Sequence, residues 1–399
     1  MEVSKKRVRL ATARRRVLTR IRLYFRLSVK RQSALVLMLV AAYLVFVHHE
    51  YREALRDKYR PTAFSSDVLR NSTAQWKFAS KDHSQDPDHL WENRAKWKPL
   101  GSGYEGETFI YDNAVVKTFT MRSPLRNCVP DTNPSLRWPT EIPASLLLGN
   151  VSMVAEDENA DALGFVSIKD YFLAGAGSSA QWHLVTPFFE AGNLEKSAGR
   201  LRAEGVNYRD LDARFRPSFN RLLTALDRMH TSQNLCHDDI KPDNIFVSFS
   251  DESYEADTHW VFADLGNARQ PSHPYHSSRL WSTANGQRPD CRVNDVVRLA
   301  KSYVLFLRQA SARISKEEIP GLAPFDEAFF AGQEPWSRLY WSIIDDRLLT
   351  STAAAAKFAF TGAARDDRVK IPSRLWSRTF GSDLYGGSRQ GIVQRDQRQ

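Results

Sequence analysis

Cys236-His237-Asp238-Asp239-Ile240-Lys241-Pro242-Asp243-Asn244-Ile245-Phe246-Val247 carries a carboxylate (Asp239), a cation (Lys241) and a side-chain amide (Asn244) within a few residues of one another. Apolar residues on either side of these groups predict a loop held down at both ends. A base, a positive charge and a metal-binding amide are what phosphoryl transfer requires, because its catalysis consists of positioning and of neutralising charge.

Before this stretch, Phe219, Leu222, Leu223, Leu226, Met229 and His230 recur at helical spacing and predict a helix with one apolar face leading into the loop. His230, near its end, reads as a packed structural residue. After it, Ile245-Phe246-Val247 and Trp260-Val261-Phe262-Ala263 flank a polar excursion from Ser248 to Thr258 and predict a hairpin that ends on Asp264-Leu265-Gly266. Asn294-Asp295-Val296-Val297-Arg298-Leu299-Ala300 opens a further helix. In it Asp295 can cap the helix. A last regular element is expected over residues 336–357.

Upstream, Leu100-Gly101-Ser102-Gly103-Tyr104-Glu105-Gly106 contains G-x-G-x-x-G. The same spacing serves dinucleotide folds, where the glycines run into a helix. Here a strand-like run, Glu107 to Tyr111, is followed by an Asp112-Asn113 turn and a second strand, Ala114-Val115-Val116-Lys117-Thr118-Phe119. A helix is expected from Glu141, with Thr140 as its cap and Pro143 tolerated in the first turn, where amides lack intrahelical partners. Residues 164–173 and 181–189 read as two strands joined by a glycine-rich turn, the second running into Thr186-Pro187-Phe188-Phe189-Glu190-Ala191-Gly192-Asn193.

In this order the elements resemble the protein kinase family, from H-R-D-x-K-P-x-N through the glycine-rich hairpin, V-A-I-K and D-F-G. The resemblance implies an α+β, two-lobed protein-kinase-like fold, a small antiparallel β lobe on a mainly helical one, over residues 98–360. It implies ATP and Mg2+ as cofactors. Gly101, Gly103 and Gly106 would cover the phosphates, Lys117 would hold them, and Glu141 would pair with Lys117. Thr186 would stand behind the adenine, Phe188 in the hinge, and Asn193 near the ribose. Asn244 and Asp264 would bind the metal, Asp239 would accept the proton of the attacking hydroxyl, Lys241 would neutralise the transferring phosphate, and His237 would brace the loop. A second role for Asp295, bracing that loop from below, is implied by the resemblance alone. Lys241-Pro242 is the serine/threonine form of the loop. Asp238 departs from the pattern, standing where an Arg usually receives an activation-loop phosphate. Such a phosphate would be repelled here, so activity independent of phosphorylation of that loop is expected. There is no A-P-E.

The chain has 399 residues and a net charge of +10. Twelve basic residues between Lys5 and Arg31 face one acid, Glu2, so the remainder is close to neutral and no nucleic-acid partner is expected. Residues 32–49 carry no charged side chain and would span about 27 Å as a helix, close to a bilayer's hydrocarbon thickness. We read residues 1–31 as a basic cytoplasmic tail, 32–49 as a transmembrane signal anchor in a lipid bilayer, 50–97 as a stem that partly packs back through its tryptophans, and 361–399 as a basic tail. A signal-peptide core, a buried helix and a mitochondrial presequence are the other readings of the leader. The charge asymmetry places the domain after the anchor in the lumen of the endoplasmic reticulum or Golgi, as a single-pass type II protein. The tripeptides at Asn71 and Asn150 agree with that as glycosylation acceptors. Cys128, Cys236 and Cys291 allow at most one bridge, and their spacing assigns none. The expected activity is transfer of the γ-phosphate to Ser or Thr of a protein substrate; a glycan substrate and a catalytically silent scaffold are the alternatives.

Overall fold

The computed structural model describes residues 2–64, 87–103, 105–120, 127–128, 138–149, 164–175, 180–249, 258–311 and 324–344. Helix α1 runs Glu2–Lys58. Its part Arg31–Lys58 is long and apolar enough to cross a membrane by length and composition, and the apolar window within it is not buried against the rest of the chain, whereas Ala54 near its end is. Leu35 to Val47 turn their large apolar side chains outward, Leu37 being 68% exposed. The helix continues past the expected boundary at His49 because no Gly or Pro lies between Arg31 and Arg60. Pro61 follows its end.

Two segments of the expected stem pack on the folded part. Residues 59–64 lie against residues 268–273, and helix α2 (Pro87–Glu92) leads into the first strand of the sheet. Strands β1 (Lys98–Ser102), β2 (Gly106–Tyr111) and β3 (Ala114–Phe119) form an antiparallel meander. The β2–β3 turn holds Asp112 at φ 45° and Asn113 at φ 57°, the left-handed pair that a two-residue hairpin needs and that Asp and Asn adopt more readily than other side chains. Strands β4 (Asn127–Cys128) and β5 (Trp138–Pro139) pair with each other and lead to helix α3 (Glu141–Gly149). Strands β6 (Asp170–Ala174) and β7 (Gln181–Pro187) complete a five-stranded sheet of order β1-β2-β3-β7-β6.

One group of buried side chains, Phe119, Ile142, Leu146, Ile168, Trp182 and Leu184, joins α3 to the sheet. A second, Leu90, Ala114, Val116, Phe172 and Val185, is covered by Trp91 and Trp97. Those two indoles are the packing that the stem's tryptophans foretold; Trp76 lies outside the described residues.

His183 sits between Trp91, Trp97 and Phe172, its Nδ1 3.0 Å from Thr118 Oγ1. Burial pulls this imidazole down to about 4. A histidine depressed in the fold binds its proton first in the unfolded chain, so its contribution is present above the unfolded value near 6.5 and is lost as pH falls towards 4. Lowering the pH from 7 to 5 is expected to cost on the order of 1–2 kcal/mol through this residue. His183→Leu should flatten that part of the dependence of urea midpoint on pH; an unchanged slope would refute the assignment.

The second part is mainly helical: α4 (Leu194–Glu204), α5 (Tyr208–Thr231), the hairpin β8 (Ile245–Phe249) and β9 (Thr258–Phe262), α6 (Cys291–Ala310), α7 (Pro324–Ala331) and α8 (Pro335–Ile344). The stripe read from α5 is buried throughout, with Phe219 stacked on Tyr303 of α6. The expected last element starts at Pro335 and is described to Ile344; residues 345–357 lie outside the described residues.

Two expectations change. Residues 164–173 are not one strand: only Asp170–Ala174 joins the sheet, while Phe165 bridges in parallel to Phe262. Gly164 turns the chain there at φ 77°, and a β-carbon on it would stand 2.5 Å from that of Ala225. Helix α7 was missed, although Pro324 at its start, Asp326 and Glu327 in its first turn and the left-handed Gly332 just beyond it are recognisable boundary signals.

Candidate active site

Lys117, on β3, reaches out of the sheet to the first residue of α3, where its ammonium donates to Glu141 Oε2. Helix α3 starts there because Thr140 supplies the first carbonyl, accepting from Ala144 N at 3.2 Å, and Pro143 needs no partner in the first turn. The same ammonium lies 3.1 Å from Asp264 Oδ1, beyond the end of β9. A third carboxylate, Glu105 of the glycine-rich loop, comes within 4.8 Å of the other two. Burial alone would pull Lys117 down, yet Asp264, Glu141 and Glu105 together hold it well above the ordinary lysine range. Lys117 in turn holds Asp264 below the ordinary carboxylate range. Burial raises Glu141 in spite of Lys117.

The glycine-rich loop is closed by Gly103 N donating to Gly106 O at 2.8 Å. A β-carbon on Gly106 would lie 1.9 Å from the Thr118 carbonyl oxygen, so only glycine fits. Gly101 and Gly103 have room around them. Glu105 was not among the residues singled out in the sequence: nothing in the local pattern distinguishes its carboxylate, which the loop's fold carries over Gly266.

The residues expected to form a hinge make the following contacts. Thr186 and Pro187 pair with Val115 and Ala114 on β3. The Phe188 amide donates to Asn113 O at 3.1 Å, in the β2–β3 turn. Asn193 caps α4, its side-chain oxygen accepting from Lys196 N at 3.0 Å and its amide 3.4 Å from Asp243 O. The capping role satisfies an otherwise orphan helical donor and was not read from the sequence.

Opposite Lys117 lies the loop after α5. Asp295, fully buried on α6, accepts from His237 N at 2.7 Å and from Asp238 N at 3.0 Å. His230, also buried, places Nε2 3.2 Å from the same carboxylate. The two roles read for Asp295 are divided: Asp290 caps α6, accepting from Arg292 N at 2.9 Å, and Asp295 braces the loop. The His237 side chain bridges the Asp239 amide (3.4 Å) and the Ala263 carbonyl (3.2 Å).

Asp239 Oδ2 gathers Lys241 Nζ at 3.1 Å, Asn244 Nδ2 at 3.3 Å and Asn267 Nδ2 at 3.4 Å. Pro242 opens a 3-10 turn over Pro242–Asn244, and Asn244 Nδ2 also donates to Asp239 O at 2.9 Å. With its nitrogen engaged there, Asn244 offers its amide oxygen to a ligand. That oxygen and the carboxylate of Asp264 are hard donors suited to Mg2+.

The structure therefore joins Lys117, Glu141 and Asp264 in one group and Asp239, Lys241 and Asn244 in another. The Ala263 amide, next to Asp264, donates to Asn244 O at 2.9 Å and links the two. Cys236 and Cys291 form a disulfide under this site, the pairing that their spacing did not assign. Trp281 and Tyr275 pack on it.

No protein-family model matches the chain, and no curated protein matches it. Among solved structures, it is similar to the kinase domain of Mycobacterium tuberculosis PknI, crystallised as a double mutant, with 16% identity and a TM-score of 0.39 over 67% of this chain and 94% of that one.

Proposed function

We propose that this chain is an ATP-dependent phosphotransferase of the protein-kinase fold, which transfers the γ-phosphate to a serine or threonine hydroxyl of a protein. The observation that carries the reading is the convergence on one ammonium, Lys117, of Glu141 and Asp264, which are 24 and 147 residues away in sequence. A chance likeness of local motifs does not produce such a meeting. In the reaction, Asp239 receives the hydroxyl proton as that oxygen attacks the γ-phosphorus and the bond to the ADP oxygen breaks. Lys241, beside Asp239, offsets charge on the phosphoryl group, and Lys117 orients the other phosphates. Mg2+, when bound by Asn244 and Asp264, neutralises phosphate charge. Asn267 and Asn244 hold the Asp239 carboxylate in one orientation, which favours a productive approach.

Lys241-Pro242 supports a protein substrate. The basic leader, the apolar span and the Cys236–Cys291 bridge, a bond favoured in oxidising compartments, support a domain facing the secretory lumen, where ATP must be imported. Saturating Mg-ATP, at about a hundred times its Kd, is expected to stabilise the protein by about 2.7 kcal/mol, and Lys117→Ala should abolish most of that gain. An unchanged melting temperature of the wild type in millimolar Mg-ATP would refute the reading.

A further inference from the structure

The segment that joins the apolar helix to the rest of the chain docks on the polypeptide that follows Asp264. Thr62 Oγ1 donates to Ala268 O at 2.8 Å, Arg269 Nη2 donates to Lys58 O at 3.2 Å, His273 Nε2 lies 3.1 Å from Arg60 O, and Gln270 Nε2 donates to Ala63 O. These contacts span more than two hundred residues of sequence, and Thr62 is only 3% exposed. Ala54, on the last turns of α1, is buried as well.

Arg269 is the junction. Its Nη1 donates to Asp238 Oδ2 at 3.0 Å and to Asn267 O at 3.0 Å, and its main chain exchanges both hydrogen bonds with Cys236. His276 Nε2 is 2.7 Å from the same Asp238 oxygen. Asp238 immediately precedes Asp239 and is held at φ 64°, a conformation that a non-glycine residue keeps only when its surroundings over-determine it. An uncompensated charge at so buried a position would be strongly destabilising. Arg269 and His276 provide the compensation, and Arg269 is in turn seated by the Lys58 carbonyl.

Resting on the kinase reading, we propose that Arg269 is a positioning residue for Asp239 and that residues 58–63, next to the membrane span, act as a built-in activator that keeps it in place. The charge arrangement is inverted relative to a loop that awaits a phosphate: the acid is in the catalytic loop and the cation comes from the following segment. The site is thereby ordered by attachment to the membrane-proximal helix. Loss of that docking releases residues 268–276 and with them the restraint on Asp238, while the contacts of Lys117 with Glu141 and Asp264 lie elsewhere and persist.

The test compares full-length wild type, Thr62→Ser and Thr62→Val/Gln270→Ala in phospholipid nanodiscs. Hydrogen exchange across residues 266–278, kcat for transfer to a generic protein substrate and the thermal shift with Mg-ATP are measured on each. The double variant is expected to exchange about tenfold faster in that segment and to lose about tenfold in kcat, with the Mg-ATP shift and the KM for ATP unchanged; Thr62→Ser, which keeps the hydroxyl, should match the wild type. Wild-type exchange in the double variant, or a kcat within twofold of wild type, overturns the proposal. If the wild type neither binds Mg-ATP nor transfers phosphate, the kinase reading and the role of Arg269 towards Asp239 fail together, and unchanged exchange would then remove the docking as well.

Discussion

Asp239→Asn is expected to lower kcat for phosphate transfer by about a hundred- to ten-thousandfold, the usual contribution of a positioned general base, while leaving the KM for ATP and the Mg-ATP thermal shift near wild type. The amide keeps the shape of the carboxylate, and one oxygen remains to accept from Lys241, Asn244 or Asn267, which surround Oδ2 at 3.1, 3.3 and 3.4 Å. What the substitution removes is the group that takes the hydroxyl proton in the proposed reaction. The proposed nucleotide site is anchored separately, through Lys117, so binding and transfer should part company in this variant. Steady-state transfer of labelled γ-phosphate, with ATP binding measured in parallel, checks this. A variant retaining more than about a tenth of wild-type kcat would remove Asp239 from the role of base, and a wild type that binds Mg-ATP without transfer to any of a broad substrate panel would favour a silent scaffold.

Removing the Cys236–Cys291 bridge is expected to have the largest effect on stability. The bridge closes a loop with a sequence separation of 55, for which the chain-entropy argument gives about 4 kcal/mol. Cys236→Ala/Cys291→Ala should therefore lower the melting temperature by roughly 10 °C. Alanine avoids placing new hydroxyls among Tyr275, Trp281 and Leu280, which pack around the sulfurs. Because Cys236 belongs to the loop that carries Asp239 and Cys291 opens the helix that carries Asp295, the bridge joins the two elements that position Asp239. Kinetic damage should accompany the loss of stability. Mobility on non-reducing gels, together with protease protection in intact microsomes, tests the bridge and the compartment at once. A domain accessible to protease and fully reduced would overturn the lumenal reading, and a bridge-free variant of wild-type melting temperature would overturn the stability argument.

Part of this could be read along the chain because the physics is local. Asp112-Asn113 between two strand-like runs specifies its turn through the backbone conformations those residues tolerate. The apolar repeat from Phe219 to Met229 specifies one buried helix face, and Pro242 with Asn244 sets a turn within a few residues. Glu141 was legible as the start of a helix, and its meeting with Lys117 followed from resemblance alone. Other features depend on residues far apart, where no spacing rule applies. Glu105 acquires meaning only from the loop that carries it over Gly266, and the linear pattern does not show that the Phe188 amide donates to Asn113 or that the Asn193 side-chain oxygen accepts from Lys196 N.

By itself, then, the order of residues determined the candidate base, the candidate metal ligands, the glycine-rich hairpin, the apolar span and the anomaly of Asp238. Tertiary structure decided what answers that anomaly: Arg269, seated by the Lys58 carbonyl, and His276, both from the following segment. It also decided which two of three cysteines meet. The physical reason is the same in both cases, since a buried charge and a thiol each take the partner that folding brings within reach, and that proximity is a property of the whole packed chain.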